Sequence, residues 1–152
     1  MTYVNSVLQP GERVITVGKL HWIIYAGAMG MLLLAIVLAI LSSVVQSLGT
    51  VFLIAAGIAL VLAVALAVKE WFDQWITEIA VTNLRVIYKV GFIRRRTSEM
   101  NMEKVESVVV NQPILGRILG YGSIHIRGTG VGIEDLHRIA APIELRNAII
   151  AR

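Results

Sequence analysis

The sequence predicts a membrane protein of the α+β class, in which an N-terminal hairpin of two transmembrane helices precedes a small strand-rich domain closed by a C-terminal helix. Charged residues make up only 16% of the chain, whereas soluble domains approach a quarter. Between Lys19 and Lys69 the only Asp, Glu, Lys, Arg or His is His21. After Lys69 apolar and polar residues alternate, which is typical of strands.

The uncharged segment is long enough for two helices of about 20 residues each, the length that a bilayer core requires. The helices are predicted at about 22–45 and 50–68, within a hairpin of residues 21–68. Arg13 and Lys19 precede this hairpin and Lys69 follows it, while the turn between the helices is uncharged. The positive-inside rule therefore predicts a multi-pass protein with both termini in the cytoplasm.

Small residues recur on one face of each predicted helix, and such residues let helix backbones approach closely in lipid. In the second helix they lie at every fourth position: Ala55, Ala59, Ala63 and Ala67. This face either packs the two helices together or contacts a neighbouring subunit. Neither helix contains Asp, Glu, Lys or Arg, so we interpret the pair as an anchor and not as an ion path.

Residues 69–152 predict a cytoplasmic domain of six strands and a final helix that Pro142 opens. The predicted strands lie at about 74–82, 84–90, 92–100, 105–111, 123–127 and 133–139. A short helix is expected at 113–120, between Pro113 and Gly120. Residues 1–20 form an N-terminal segment, in which 14–20 alternate weakly and are hypothesised to add a seventh strand to the domain.

Three stretches of the sequence resemble one known family. They are Leu8-Gln-Pro-Gly-Glu12, Val81-Thr-Asn-Leu-Arg-Val-Ile87 and Gln112-Pro-Ile-Leu-Gly-Arg-Ile-Leu-Gly-Tyr-Gly122. With them the chain resembles, over nearly its whole length, the bacterial membrane proteins with a pleckstrin-homology-like (PH-like) domain, of the YdbS/YdbT type. The resemblance implies a split β-barrel of two nearly orthogonal sheets capped by the C-terminal helix. It also implies a place in the bacterial inner membrane and no enzymatic activity.

We interpret the motif residues as architecture, with a ligand site as the alternative. Asn83 suits a turn, and Arg85 could hold neighbouring backbone or a carboxylate. Glycines would let the short helix fold back against a strand. The residues concerned are Thr82, Asn83, Arg85, Gln112, Gly116, Arg117, Gly120 and Gly122.

The strongest local charge signal is Arg94-Arg95-Arg96, to which Lys89 adds a fourth basic residue. Each basic group near an anionic leaflet contributes about 1 kcal/mol, so together they could contribute about 3–4 kcal/mol. These residues are candidates for contact with anionic phospholipid headgroups or a protein partner. The alternative is a solvated strand whose charges prevent edge-to-edge pairing.

The sequence indicates no catalytic residue, metal site or cofactor. His21, His125 and His137 are scattered without metal-ligand spacing, and the chain has no cysteine. Nucleic-acid binding is not expected either, because acidic residues interrupt the basic ones and no recognition motif is present.

The sequence therefore predicts a membrane-anchored binding or scaffold protein. Its expected partners are the lipid bilayer, anionic phospholipid headgroups, further copies of itself or other membrane proteins. The alternative is an accessory subunit or assembly factor of a larger membrane complex, with the alanine face as its docking surface.

Overall fold

The computed structural model describes residues 2–91, 96–129 and 133–151. Over these residues the elements are, in chain order, α1 (Thr2–Val7), β1 (Val14–Gly18), α2 (Ala26–Val44), α3 (Gly49–Ile76), β2 (Glu78–Thr82), β3 (Arg85–Val90), β4 (Arg96–Asn101), β5 (Val105–Asn111), α4 (Ile114–Leu119), β6 (Tyr121–Gly128), β7 (Ile133–Ala140) and α5 (Pro142–Ile150). The chain divides into two compact units. We call residues 22–72 the helical unit, and residues 2–21 with 73–151 the sheet unit.

The helical unit contains two helices that are long and apolar enough to cross a membrane. A 3₁₀ turn at Trp22–Tyr25 leads into α2, and a second at Gln46–Leu48 leads into α3. By length and composition, Trp22–Val44 and Gln46–Ile76 both qualify as candidate spans. The uncharged segment of the sequence thus forms the pair of helices that its length predicts.

The second helix is longer than predicted. It continues to Ile76 instead of ending at residue 68, because residues 69–76 contain neither Gly nor Pro to stop it. Trp75, predicted to lie in the first strand of the domain, therefore lies in the last turn of α3, and that prediction was wrong. The first strand after the helices begins at Glu78.

Inside the helical unit the buried positions of the two long helices are small, and most of their large side chains are exposed. The buried residues of α2 and α3 are all alanines, namely Ala28, Ala35, Ala56, Ala59 and Ala63. By contrast Val44 is 71% exposed and Val61 68%. A shallow cleft lined by Ala28 and Met29 of α2 and by Ala63 and Ala67 of α3 brings the two small faces to one place.

The sheet unit contains two antiparallel sheets. The first has the strand order β1-β2-β3-β4 and the second the order β5-β6-β7. β1 comes from the segment before the two helices and pairs with β2, which follows them, with Val17 opposite Ala80 and Gly18 opposite Ile79. Beyond β1, Leu20 forms a bridge with Ile139 of β7, so the N-terminal segment contacts both sheets.

The main core lies between the two sheets and α5. Alternate residues of β6 are buried, as in Ile124 and Ile126, because successive side chains of a strand point to opposite faces. α5 packs against β1, β2, β5 and β6 through Leu145 and Ile149, which are spaced four apart and share one helix face. The C-terminal helix thus closes the core as expected.

A second, smaller core covers the other face of β2 and β3. There Val4 of α1 packs with Ala80 and Ile87, and Tyr3 and Leu8 border the cluster. The sequence did not predict α1, since six residues are too few to show a helical period. Glu78 and Thr82 share this face of β2 with Ala80, and Thr82 is completely buried there.

The short helix α4 is attached to β6 through glycines. A Cβ at Gly116 would lie 2.5 Å from the carbonyl oxygen of Tyr121, and one at Gly122 would lie 2.7 Å from Gln112 Cγ. Gly120 ends the helix with φ +78°, a conformation that glycine adopts without strain. The Gln112 amide donates to the Tyr121 carbonyl at 3.2 Å.

Candidate interaction surface

Lys89, one of the predicted contact residues, binds neighbouring side chains within the sheet unit. Lys89 Nζ lies 3.4 Å from Glu78 Oε1 and 5.3 Å from the ring centroid of Tyr3. Its side chain is only 13% exposed. Lys89 therefore fastens β3 to β2 and α1, and its ammonium group is directed at these neighbours.

The arginines of the basic cluster are only partly described. Arg94 and Arg95 lie outside the described residues. Arg96 is exposed at the start of β4, opposite Val90 of β3. The headgroup contact predicted for this cluster stays a prediction.

The strongest polar cluster of the sheet unit joins two of the family-like motifs. Arg85 forms a bidentate ion pair with Glu12, in which Nε donates to Oε1 and Nη2 to Oε2, each at 3.0 Å. Nη1 donates to Glu99 Oε2 at 2.6 Å and Nη2 also donates to the Val7 carbonyl at 2.7 Å. Arg85 thus binds both backbone and carboxylates. It connects the segment before β1 to β3 and β4.

Two further motif residues complete this cluster. The Thr82 hydroxyl lies 2.7 Å from Glu12 Oε1 and accepts from the Arg85 amide at 3.0 Å. The Asn83 side chain accepts from the Arg13 amide at 2.7 Å. Thr82 and Asn83 therefore hold the β2–β3 turn and the N-terminal segment together, which is an architectural role.

The charge state of the cluster follows from its contacts. Burial would by itself raise the pKa of Glu12. The hydrogen bonds from Arg85, the Gln9 amide and the Thr82 hydroxyl outweigh this effect, and the net result is a pKa below the ordinary value of 4.5. The bond to Glu12 raises the pKa of Arg85, since it favours the charged guanidinium. Both groups are therefore ionised at neutral pH.

Glu12 belongs to one of the family-like motifs, but its pairing with Arg85 was not predicted from the sequence. A glutamate placed directly after Pro-Gly gives no local signal of burial. The contact depends on a pairing between positions 73 residues apart, which only the folded sheet creates.

The structure also brings two of the scattered histidines together. His125 of β6 and His137 of β7 have ring centroids 6.4 Å apart, and Ser123 Oγ lies 3.1 Å from His137 Nδ1. Among the described residues no group of three His, Cys, Asp or Glu side chains is arranged to hold a metal ion.

The surface of the sheet unit also has a cleft and an apolar face. A cleft of about 300 Å³ lies between the end of β1, the end of α3 and the start of β2, and Lys19, Gln74 and Glu78 are its polar lining residues. The exposed apolar face belongs to α4, whose large side chains are all accessible: Ile114, Leu115, Ile118 and Leu119. From the sequence, the motif residues of this segment were interpreted as architecture, with a ligand site as the alternative.

We predict that Arg85→Ala destabilises the sheet unit by about 3–5 kcal/mol, because it leaves the Glu12 carboxylate buried without its partner. Glu12→Gln introduced into the same variant should restore part of the loss by removing the stranded charge. Hydrogen exchange of β2 and β3 in the full chain measures the effect. Arg146→Ala, which removes an exposed arginine of α5, is the matched control and should change stability by less than about 0.5 kcal/mol. Equal effects of the two single variants would contradict the role of the ion pair.

We further predict that the sheet unit loses stability in acid. A carboxyl group whose pKa is lowered by folding stabilises the protein above its unfolded pKa and loses this effect as the pH falls through its folded pKa. Glu12 and Glu78 are both of this kind. The free energy of unfolding should therefore be flat from neutral pH to about pH 5 and fall below it.

Glu12→Gln should reduce the steepness of this fall. Glu103→Gln, which removes an exposed carboxylate from the same unit, controls for the loss of one negative charge. Hydrogen exchange at a series of pH values, corrected for the intrinsic exchange rate, provides the comparison. A Glu12→Gln profile with the same acid slope as the unmodified chain would rule out this assignment.

Comparison with known proteins identifies the family. The sequence model of the bacterial PH domain matches residues 13–151, a range that includes β1, both long helices and all the later strands. No curated protein and no solved structure gives a match. The matched range covers far more than half of the chain, and the two antiparallel sheets with a closing helix agree with the fold expected from the motifs. The chain belongs to the bacterial PH domain family.

Proposed function

We propose that this protein is a membrane-anchored binding or scaffold protein. Its two long helices anchor it in the bacterial inner membrane, with both termini in the cytoplasm. Its PH-like sheet unit presents exposed faces to proteins, to further copies of the chain or to acidic headgroups.

The observation that carries the proposal is the exposure of the apolar helices. In the most apolar 18-residue window of each helix, only 17% is buried inside the protein. In a soluble protein, a helix that is apolar on all sides is mostly buried in the core. Contiguous apolar surface of this extent is rare on soluble monomers and marks contact with lipid or protein.

The charges around the helices support the orientation. Arg13 and Lys19 precede the first helix and Lys69 lies near the end of the second, whereas residues 45–49 between the helices carry no charge. The excess of basic residues near membrane helices lies on the cytoplasmic side. Trp22, Trp71 and Trp75 are exposed near the same ends, where aromatic rings favour the headgroup level.

The burial of the alanines supports an anchor that is complete within one chain. Ala59 and Ala63 are each only 4% exposed, so the middle of the face that could have docked onto another subunit already packs within the helical unit. This favours the scaffold proposal over the accessory-subunit alternative.

We predict that the full chain stays in the membrane fraction after an alkaline carbonate wash, and that a reporter fused to its C-terminus is active only in the cytoplasm. Leu33→Arg combined with Ile58→Arg places a charge at the middle of each helix, at a cost of about 3 kcal/mol per residue, and should increase the washed-off fraction. Leu33→Ala with Ile58→Ala is the matched control and should stay bound. Release of the unmodified chain by the wash, or a reporter active only outside the cytoplasm, would refute the proposed anchor.

We also predict that the chain purified in mild detergent has a native mass equal to that of the chain or a whole multiple of it. A scaffold of this kind needs no other subunit to bury its small-residue faces. Constant amounts of an unrelated membrane protein in the same preparation would instead support the accessory-subunit alternative. The double alanine variant above controls for association caused by the exposed helix surface alone.

A further inference from the structure

The helix α4 exposes a continuous apolar face. Ile114 and Ile118 are 80% and 74% exposed, and Leu115 and Leu119 lie beside them. The two pairs are each spaced four apart and therefore occupy one side of the helix. Four large apolar side chains on six residues are an unusual concentration for a surface that faces only water.

These side chains are exposed because α4 approaches β6 through Gly116 and not through its large residues. The buried Gly116 lies against the carbonyl of Tyr121. The Gly120 carbonyl accepts from the Ala141 amide at 2.9 Å. The apolar face thus remains available while the helix is held firmly.

The same end of the sheet unit contains the point at which the chain enters its first long helix. The ring of Tyr121, two residues after the end of α4, lies 5.4 Å from the ring of His21. The long apolar segment begins at Trp22, the residue after His21. The His21 amide donates to the Arg138 carbonyl at 2.7 Å. Gln74, on the returning segment, donates to the Leu20 carbonyl at 3.4 Å.

We propose that α4 is a second membrane contact, which inserts its apolar face into the boundary between the headgroups and acyl chains of a phospholipid bilayer. The inference rests on the proposed anchor, because entry into lipid at Trp22 holds His21, Tyr121 and the end of α4 close to the membrane surface. Short apolar faces bind at this depth when a polar flank remains in the headgroup layer.

The flanks of α4 have the polar character that such a position requires. Arg117 is exposed on α4 itself, and a long basic side chain can extend to the phosphates while its stem stays in apolar surroundings. Lys19 and Arg138 are exposed at the same end of the sheet unit, and Glu144 of α5 is an exposed acidic residue nearby. The apolar face therefore carries the contact, and the basic groups accompany it.

The absence of cysteine from the chain allows a direct test. Single variants Ile118→Cys, Leu84→Cys and Ile40→Cys are labelled with an environment-sensitive fluorophore in the full chain, which is reconstituted into phospholipid vesicles. Ile118 reports α4, and Leu84 is an exposed apolar residue at the β2–β3 turn, at the other end of β2 from α3. Ile40 reports the proposed membrane span.

We expect the label at position 118 to be quenched by a quencher attached to the lipid acyl chains. Its quenching by aqueous iodide should be at least about threefold weaker than at position 84, as for a group at the depth of the headgroup boundary. The label at position 40 should be quenched by lipid quenchers alone.

Each other outcome overturns the inference. Iodide quenching at position 118 equal to that at position 84 would show a water-exposed α4, and shielding from iodide without lipid quenching would show that a protein covers it. If position 40 is still quenched from the lipid, the anchor stands and only the role of α4 fails. If neither position is quenched from the lipid, both proposals fail.

Discussion

The pairing of β1 with β2 is the constraint on which the rest of the structure depends. The two strands are separated in sequence by both long helices, yet Gly18 lies opposite Ile79 in an antiparallel register. The helices thus occupy the place of a turn between neighbouring strands, so the chain leaves and re-enters the sheet unit at one edge. Close approach there requires glycine, because a Cβ at Gly18 would lie 2.9 Å from Ile79 Cγ2. An insertion whose ends did not return to strand spacing would separate β1 from its sheet.

The Glu12–Arg85 ion pair makes this arrangement specific. A buried pair contributes little net stability, because desolvation offsets most of the attraction, but either partner alone is strongly unfavourable. The bidentate contact also constrains how the two segments are oriented, since a planar guanidinium binds a carboxylate in few orientations. It therefore fixes where the segment before β1 lies on β3, and α1 is then held over Ala80 and Ile87. Two motifs that are distant in sequence act as one structural device.

The sequence predicts the elements that show a clear local pattern of length or alternation. It does not predict those that depend on contacts between distant residues. The uncharged segment predicts two long helices by length alone, and residues 105–111 predict β5 with the bounds it has in the structure. Trp75 was wrongly predicted to lie in a strand, because a helix can show two-residue alternation over a few positions by chance. Neither α1 nor the partner of Glu12 could be predicted. The six-residue helix is stabilised by packing on β2 and β3, and Glu12 is buried by its contacts with Thr82 and Arg85.

The glycine motif shows how an architectural role can leave an apolar surface exposed. Gly116 and Gly122 have no side chain to contribute, so α4 is held by close backbone contact and by the bond from Gln112. An ordinary amphipathic helix turns its apolar side chains towards the core, and α4 cannot do so because its contact face is glycine. Its isoleucines and leucines are consequently directed outward. The residues that give this segment its fold are thus the cause of the apolar surface that α4 exposes.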